Sequence, residues 1–293
     1  MAVHEALPNA VHVMDREADS YSLLEEMLGR GQDFVVRLSH RERRAEGGAI
    51  GKLVTTAPVK AEREVWLSPR GEQPGSPQKH RYPARRGRQA KLEVSAYRRA
   101  EVLRPQSCGA DYSPRFVVNV VRVLEKHAPA GQQPVEWLLY TSLPVETPEQ
   151  TLTVVDAYRQ RWLIEEFFKA LKTGCAYEKR QLESMHALLV MLSLSIPIAW
   201  HLLRMRTLFR VDPQAPASSI LTPSQIDCLR HELGKRALPE RPTVRDALLA
   251  VASLGGHLKN NGDPGWLTIA RGFHDLQLLE RGYLFEQTKG DQS

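Results

Sequence analysis

TPEQTLTVVDAYRQRWLIEEFFKALKTG, residues 147–174, is the most informative stretch of this chain. Thr147 as N-cap, Pro148 at the first helical position and Gln150 just beyond form a capping box, and Thr173-Gly174 closes the segment. A helix from about 148 to 172 is therefore predicted. Tyr158, Arg161, Glu165 and Lys172 follow one another at offsets of 0, 3, 7 and 14 residues. At about 100° per residue they share an arc of roughly 60°. Val155, Trp162, Ile164, Phe167, Phe168 and Leu171 lie beside and behind this polar stripe. A helix so apolar is expected to be largely buried, with the stripe facing something polar. A pair of Glu165 with Arg161 or Lys169 on a solvent face is the plainer reading of the same residues.

Upstream, Val11 and Val13 alternate with His12 as in a strand that ends at Met14-Asp15. A helix from about Glu17 to Leu28 follows, with Tyr21, Leu24 and Leu28 at helical spacing and Gly29 and Gly31 ending it. Asp15 then sits at the carboxyl end of a strand, where open sheets with parallel strands place functional groups. Glu17 and Asp19 are read as serving the N-terminal turn of the helix. Residues 34–141 have a different texture: FVVRL (34–38), REVWL (63–67), KLEVSAY (91–97), RFVVNVVRVL (115–124) and EWLLYT (136–141) are short β-branched or alternating runs. They predict antiparallel β structure inserted into an α/β frame. Between two of them, Lys79, Arg81, Arg85, Arg86, Arg88 and Lys91 make a basic arm, either a solvated hairpin tip or a phosphate contact. Downstream, helices are predicted over 183–210, 222–233, 243–254 and 273–286, with a Pro-rich hinge or linker at 211–223.

Composition narrows the class. The 293 residues carry 40 Lys+Arg against 34 Asp+Glu, a net +6, and 42% are apolar, so a packed core is expected and a polyanion partner is compatible but not demanded. Cys108, Cys175 and Cys228 are too far apart for a zinc motif and imply no disulfide framework, which suits a reducing cytoplasm. The opening MAVHEALPNAVHVMD has no basic-then-apolar leader. LLVMLSLSIPIAWHLL (188–203) is shorter than the roughly 20 residues of a membrane span and contains Pro197 and His201. It is read as a buried core helix kinked near Pro197, and no membrane partner is expected.

The spacing Tyr158-x2-Arg161-x3-Glu165-x6-Lys172 resembles the Tyr-Arg-Glu-Lys signature of DDE transposases of the insertion-sequence four family. MDREADSYSLLEEML (14–28) resembles that family's second-aspartate motif, VEWLLYTSLPVETPEQ (135–150) the lead into its catalytic helix, and LGGHLKNNGDPGWLTIARGFHDLQLL (254–279) its C-terminal glycine-rich region. The likeness runs from about Asn9 to Tyr283. It implies an RNase H-like core, here partial, interrupted by an antiparallel β insertion and followed by a helical C-terminal region. The corresponding divisions are a core remnant at 1–33, the insertion at 34–141, catalytic and core helices at 142–210, and a dimerisation-type region at 211–293. It also implies carboxylates that hold two Mg²⁺ or Mn²⁺ ions for in-line attack on phosphodiesters. Asp15 matches the second aspartate and Glu165 the glutamate, both as metal ligands. Tyr158, Arg161 and Lys172 match residues that grip transposon-end phosphates, Trp137 an aromatic that stacks on a flipped base, and Arg16 a DNA contact or a structural ion pair. For Trp137 a core position in a strand is the alternative.

The family's first aspartate lies upstream of the Asp-Arg-Glu-Ala-Asp motif, and only fourteen residues precede Asp15. The resemblance therefore implies an N-terminally truncated form, inactive alone, that acts on double-stranded DNA ends only as part of the complete enzyme. The strand ending at Asp15 is expected to have an unpaired edge. A non-catalytic regulator, which inhibits a full-length relative through mixed dimers, is the competing function; a homodimer is the other assembly expected. A nuclease recruiting Glu5 as a substitute acid is a third.

Overall fold

The computed structural model describes residues 9–67, 84, 86–233, 238–258, 260 and 262–290, and the chain divides into two compact units, Met1–Arg161 and Trp162–Ser293. Glu5 and the arm residues Lys79, Arg81 and Arg85 lie outside the described residues.

The first unit is mixed α/β. Its strands are β1 (Val11–Met14), β2 (Asp33–Arg37), β3 (Arg44–Ala45), β4 (Gly48–Ala49), β5 (Val59–Leu67), β6 (Arg88–Leu103), β7 (Arg115–Glu125) and β8 (Glu136–Thr141). They form one sheet in the order β1-β2-β8-β7-β6-β3-β4, with β5 also on β6. Among the described residues only β1 and β2 run parallel, Val13 opposite Val35; the other pairings are antiparallel. Antiparallel strands thus extend a short parallel pair, as the α/β texture suggested. Period-two alternation sends Phe34 and Val36 of β2 and Leu138 and Tyr140 of β8 to one face. There they pack with Tyr21, Leu24 and Met27 of helix α1 (Tyr21–Gly29). Val35 and Leu139 point the other way, into a cluster with Val154, Val155 and Tyr158 of α2 (Pro148–Gln160). β2 therefore has apolar side chains on both faces, which explains its unbroken FVV run. Thr147 and Gln150 make the predicted capping box, the Gln150 amide donating to Thr147 Oγ1 at 3.2 Å.

The second unit is helical: α3 (Trp162–Lys169), α4 (Met185–Val211), α5 (Pro223–Leu233), α6 (Val244–Leu254) and α7 (Trp266–Gly290). Leu202, Met205, Leu229, Leu248, Val251, Ile269 and Leu276 are buried in its core. Helices α6 and α7 cross in backbone contact. A Cβ on Gly272 would lie 1.8 Å from the Val251 carbonyl oxygen, and one on Gly255 2.0 Å from that of Thr268. Only glycine permits that approach. The final helix, expected from 273, starts at Trp266, because Gly272 serves this crossing rather than a break.

Two predictions fail. The single helix over 148–172 is interrupted: α2 ends at Gln160, α3 ends at Lys169, and Ala170–Gly174 is a π-helical turn. The inserted residue of a π turn shifts the register, so the α-helical offset from Glu165 to Lys172 does not hold. The segment is also not uniformly buried, since Trp162 and Ile164 are 52% and 47% exposed. The second failure concerns α4, read as a buried core helix. Ala199, Leu202, Leu203, Met205 and Phe209 in its second half are buried, but Met185, Leu189, Val190 and Leu194 in its first half are exposed. It is long and apolar enough to cross a membrane, and its most apolar window is only 22% buried.

Candidate functional site

Asp15 follows the last residue of β1. It caps the 3₁₀ turn Arg16–Ala18, its Oδ1 accepting the Glu17 amide at 2.9 Å. Aspartate suits this place because its short carboxylate meets the unsatisfied amides of a turn. The side chain is exposed, and a single backbone hydrogen bond leaves most of its lone pairs available to a hard cation. Arg16 opens the same turn and is half-buried.

The turn is anchored by Asp19, whose role the sequence reading missed. Its carboxylate does not serve the N-terminus of α1, where Ser20 is the cap residue. Asp19 Oδ2 instead accepts the Ser39 and His40 amides at 2.7 and 3.1 Å and the Ser39 hydroxyl at 3.1 Å. Arg43 Nη2 pairs with Asp19 Oδ1 at 2.8 Å without hydrogen-bond alignment, and donates to the Asp19 carbonyl at 2.9 Å. The Arg43 guanidinium lies 5.9 Å over the Tyr140 ring. The Asp19 side chain is fully buried and that of Arg43 is 9% exposed. Burial pushes the Tyr140 phenol far above its ordinary range, and its hydroxyl has no hydrogen-bond partner among the described residues. The loop after β1, which carries Asp15, is thus tied to the loop after β2. An aspartate four residues beyond Asp15 and three arginines among residues 41–44 were the available signals, but nothing local paired them.

Trp137, on β8, is half-buried and meets Tyr158 of α2 edge-on, ring centroids 5.5 Å apart at 64°. The Tyr158 ring is 6% exposed and belongs to the core cluster, so it lies off the expected polar stripe. Beside Trp137 a cavity of about 120 Å³ is lined by Arg63, Trp66, Val155 and Arg159 among others. Next to Trp137, Glu136 is held between Arg41 and Arg122, each 2.8 Å away. Partial burial works against its charge, but the hydrogen bonds from the two guanidiniums outweigh that and keep its carboxyl below the usual range. Arg161 caps the C-terminus of α2 in a right-handed helical conformation (φ −50°, ψ −32°), its amide donating to the Tyr158 carbonyl at 3.1 Å.

In the second unit, Glu165 lies in the first turn of α3 and is half-buried. Its neighbour Glu166 is buried, paired with Lys169 at 2.8 Å and Arg210 at 3.5 Å. Burial opposes the Glu166 charge, yet Lys169, Arg210 and Arg206 hold its carboxyl low. Lys172 is exposed on the π turn and pairs with Glu178 at 2.7 Å. The structure therefore brings Trp137 and Tyr158 together in the first unit, while Glu165 and Lys172 belong to the second. No three His, Cys, Asp or Glu side chains cluster as metal ligands among the described residues. The donor chemistry of Asp15 and Glu165 is nevertheless that of hard-cation sites: oxygen only. A family model described as a transposase DDE domain matches residues 2–198, a span that contains both carboxylates.

Proposed function

Because the chain belongs to the transposase DDE-domain family, we propose that Asp15 and Glu165 are two of its three metal-binding carboxylates and that it belongs to the insertion-sequence four subgroup. Transposition of DNA is the function that goes with the family. When bound, Mg²⁺ or Mn²⁺ supplies the activated oxygen nucleophile and stabilises the leaving oxygen of a phosphodiester. The observation that carries the residue assignment is Asp15 itself, an exposed carboxylate at the end of the parallel strand β1, on a turn fixed by the buried Asp19–Arg43 pair. In this reading Arg161 provides a planar fork for a transposon-end phosphate and Lys172 a point charge, released from Glu178. The Tyr158 ring sets the tilt of Trp137, on which an extruded base stacks, and Arg16 contacts DNA beside Asp15.

We assign the third carboxylate to a strand that joins β1, which among the described residues is hydrogen-bonded on one side only, to β2. In this reading the chain acts on double-stranded transposon ends in the cytoplasm, and its activity depends on that third carboxylate. In this reading residues 34–141 are the β insertion and 211–293 a dimerisation region. Mn²⁺ titration followed by electron paramagnetic resonance tests the ligand assignment. Asp15→Asn and Glu165→Gln are each expected to weaken binding about ten-fold or more; unchanged binding in both sinks the assignment.

The exposed apolar side chains on the first half of α4 favour a second reading, a regulator that forms mixed dimers with a full-length relative. Co-expression with an intact transposase separates the two. A fall in transposition frequency supports the regulator, and no change rules it out.

A further inference from the structure

One end of α4 collects cations that the catalytic reading does not use. Lys169 of α3 and Arg210 of α4 share the single buried carboxylate of Glu166. Arg206, one turn before Arg210, forms no ion pair with any described residue, although Glu166 and Asp263 act on it electrostatically. Burial above all, and then the charge of Arg210, push the Arg206 pKa down. Each cation but Arg210 also rests on an aromatic face. Lys169 Nζ lies 4.8 Å over the Trp162 ring, Arg206 Cζ 4.5 Å over Trp266, and the nearby Arg245 5.5 Å over Phe209. Such stacking fixes a guanidinium plane while leaving its donor edge available. Cations that repel one another, held in place and incompletely neutralised, are stabilised by an added anion.

We propose that Arg206 and Arg210, with Lys169, form a face that grips consecutive backbone phosphates of a DNA duplex. The proposal rests on the reading of the chain as a DNA-acting transposase and adds a contact surface to it. Lys169 is one helical turn from Glu165 on the same side of α3, about 6 Å along the axis. On each strand of a duplex one phosphate occurs about every 3.4 Å of helix axis, so the face meets phosphates within a nucleotide or two of the one near Glu165. Glu166 takes up part of the positive charge in the free protein and keeps the cations from scattering. A duplex backbone suits this arrangement better than a lone small anion, because the donors are spread over two helices and point-charge and forked types alternate.

Salt-dependent binding of a labelled DNA duplex to the full chain, read by fluorescence anisotropy, tests this. Arg206→Gln/Arg210→Gln is expected to lower the slope of log K against log salt by about 2, close to one for each phosphate no longer neutralised, and Lys169→Gln by about 1. Arg206→Lys/Arg210→Lys should retain most of the slope. Phenylglyoxal modification of the unmutated chain, mapped by mass spectrometry, gives a readout independent of any folding defect: the duplex should protect Arg206 and Arg210. Unaltered slopes, or equal modification with and without DNA, overturn the proposal while leaving the transposase reading in place. If the unmutated chain binds no duplex at all, both fail.

Discussion

Asp19 and Arg43 show how much can depend on one buried pair. Both side chains are out of solvent, and the carboxylate also holds two amides and a hydroxyl of the Ser39–His40 segment. Removing one partner leaves an uncompensated charge in a low-dielectric setting, so Asp19→Ala is expected to cost about 3–5 kcal/mol in urea denaturation. Tyr140 points the other way. Its buried hydroxyl lacks a partner among the described residues, so Tyr140→Phe should be neutral or stabilise by up to about 1 kcal/mol in the same assay. Glu136 predicts the acid limb. Its carboxyl is held below the ordinary 4.5, so its contribution to stability is complete above that value and is lost as pH falls through the lower folded one. Glu136→Gln should flatten the fall in stability below about pH 4.5, measured as melting temperature against pH. An equally steep fall would show that Arg41 and Arg122 do not stabilise the charge.

Helices α6 and α7 give the sharpest expectation among the secondary-structure elements. Gly272→Ala must push apart backbones already in contact and should cost about 3 kcal/mol or more. Gly265→Ala meets nothing within 4 Å and is expected to change stability by less than about 0.5 kcal/mol, a control for propensity. The two variants compared by chemical denaturation check the crossing. Most elements were legible in the sequence. Strands β1, β2 and β5 to β8 and the helices at 185–211, 223–233 and 244–254 announced themselves through alternation, caps and proline breaks, because those signals are local, whereas the two-residue strands β3 and β4 left no such pattern. What escaped depends on contacts distant in sequence. The π turn at Ala170–Gly174 and the interruption at Arg161 left no local mark, so a periodicity that ran straight through them was misleading. Tyr158 looked polar by its place in a stripe, but it packs into the apolar cluster on one face of the sheet, edge-on to Trp137 of β8. The position of Asp15 at a strand end was legible because a strand followed by a turn is a local pattern, whereas the Asp19 partners lie 20 and more residues away.

Each compact unit has its own apolar interior. Two clusters lie wholly within residues 1–161 and a third wholly within 162–293. Independent cores predict unfolding in more than one step, so calorimetry should show a measured enthalpy that exceeds the van't Hoff value. A single transition with matching enthalpies would refute this. Strand β1, at the sheet edge among the described residues, adds a consequence of its own. It pairs in parallel with β2, and a parallel neighbour cannot be delivered by a tight hairpin, only by a long crossover or by another polypeptide. The outer edge of β1 has polarity. A synthetic peptide with an aspartate at its carboxyl end would present that acid beside Asp15 only if it docked in the same direction as β1, and the reversed sequence would carry it to the opposite end. Directional rescue of this kind would make metal binding at Asp15 depend on which way the added strand runs.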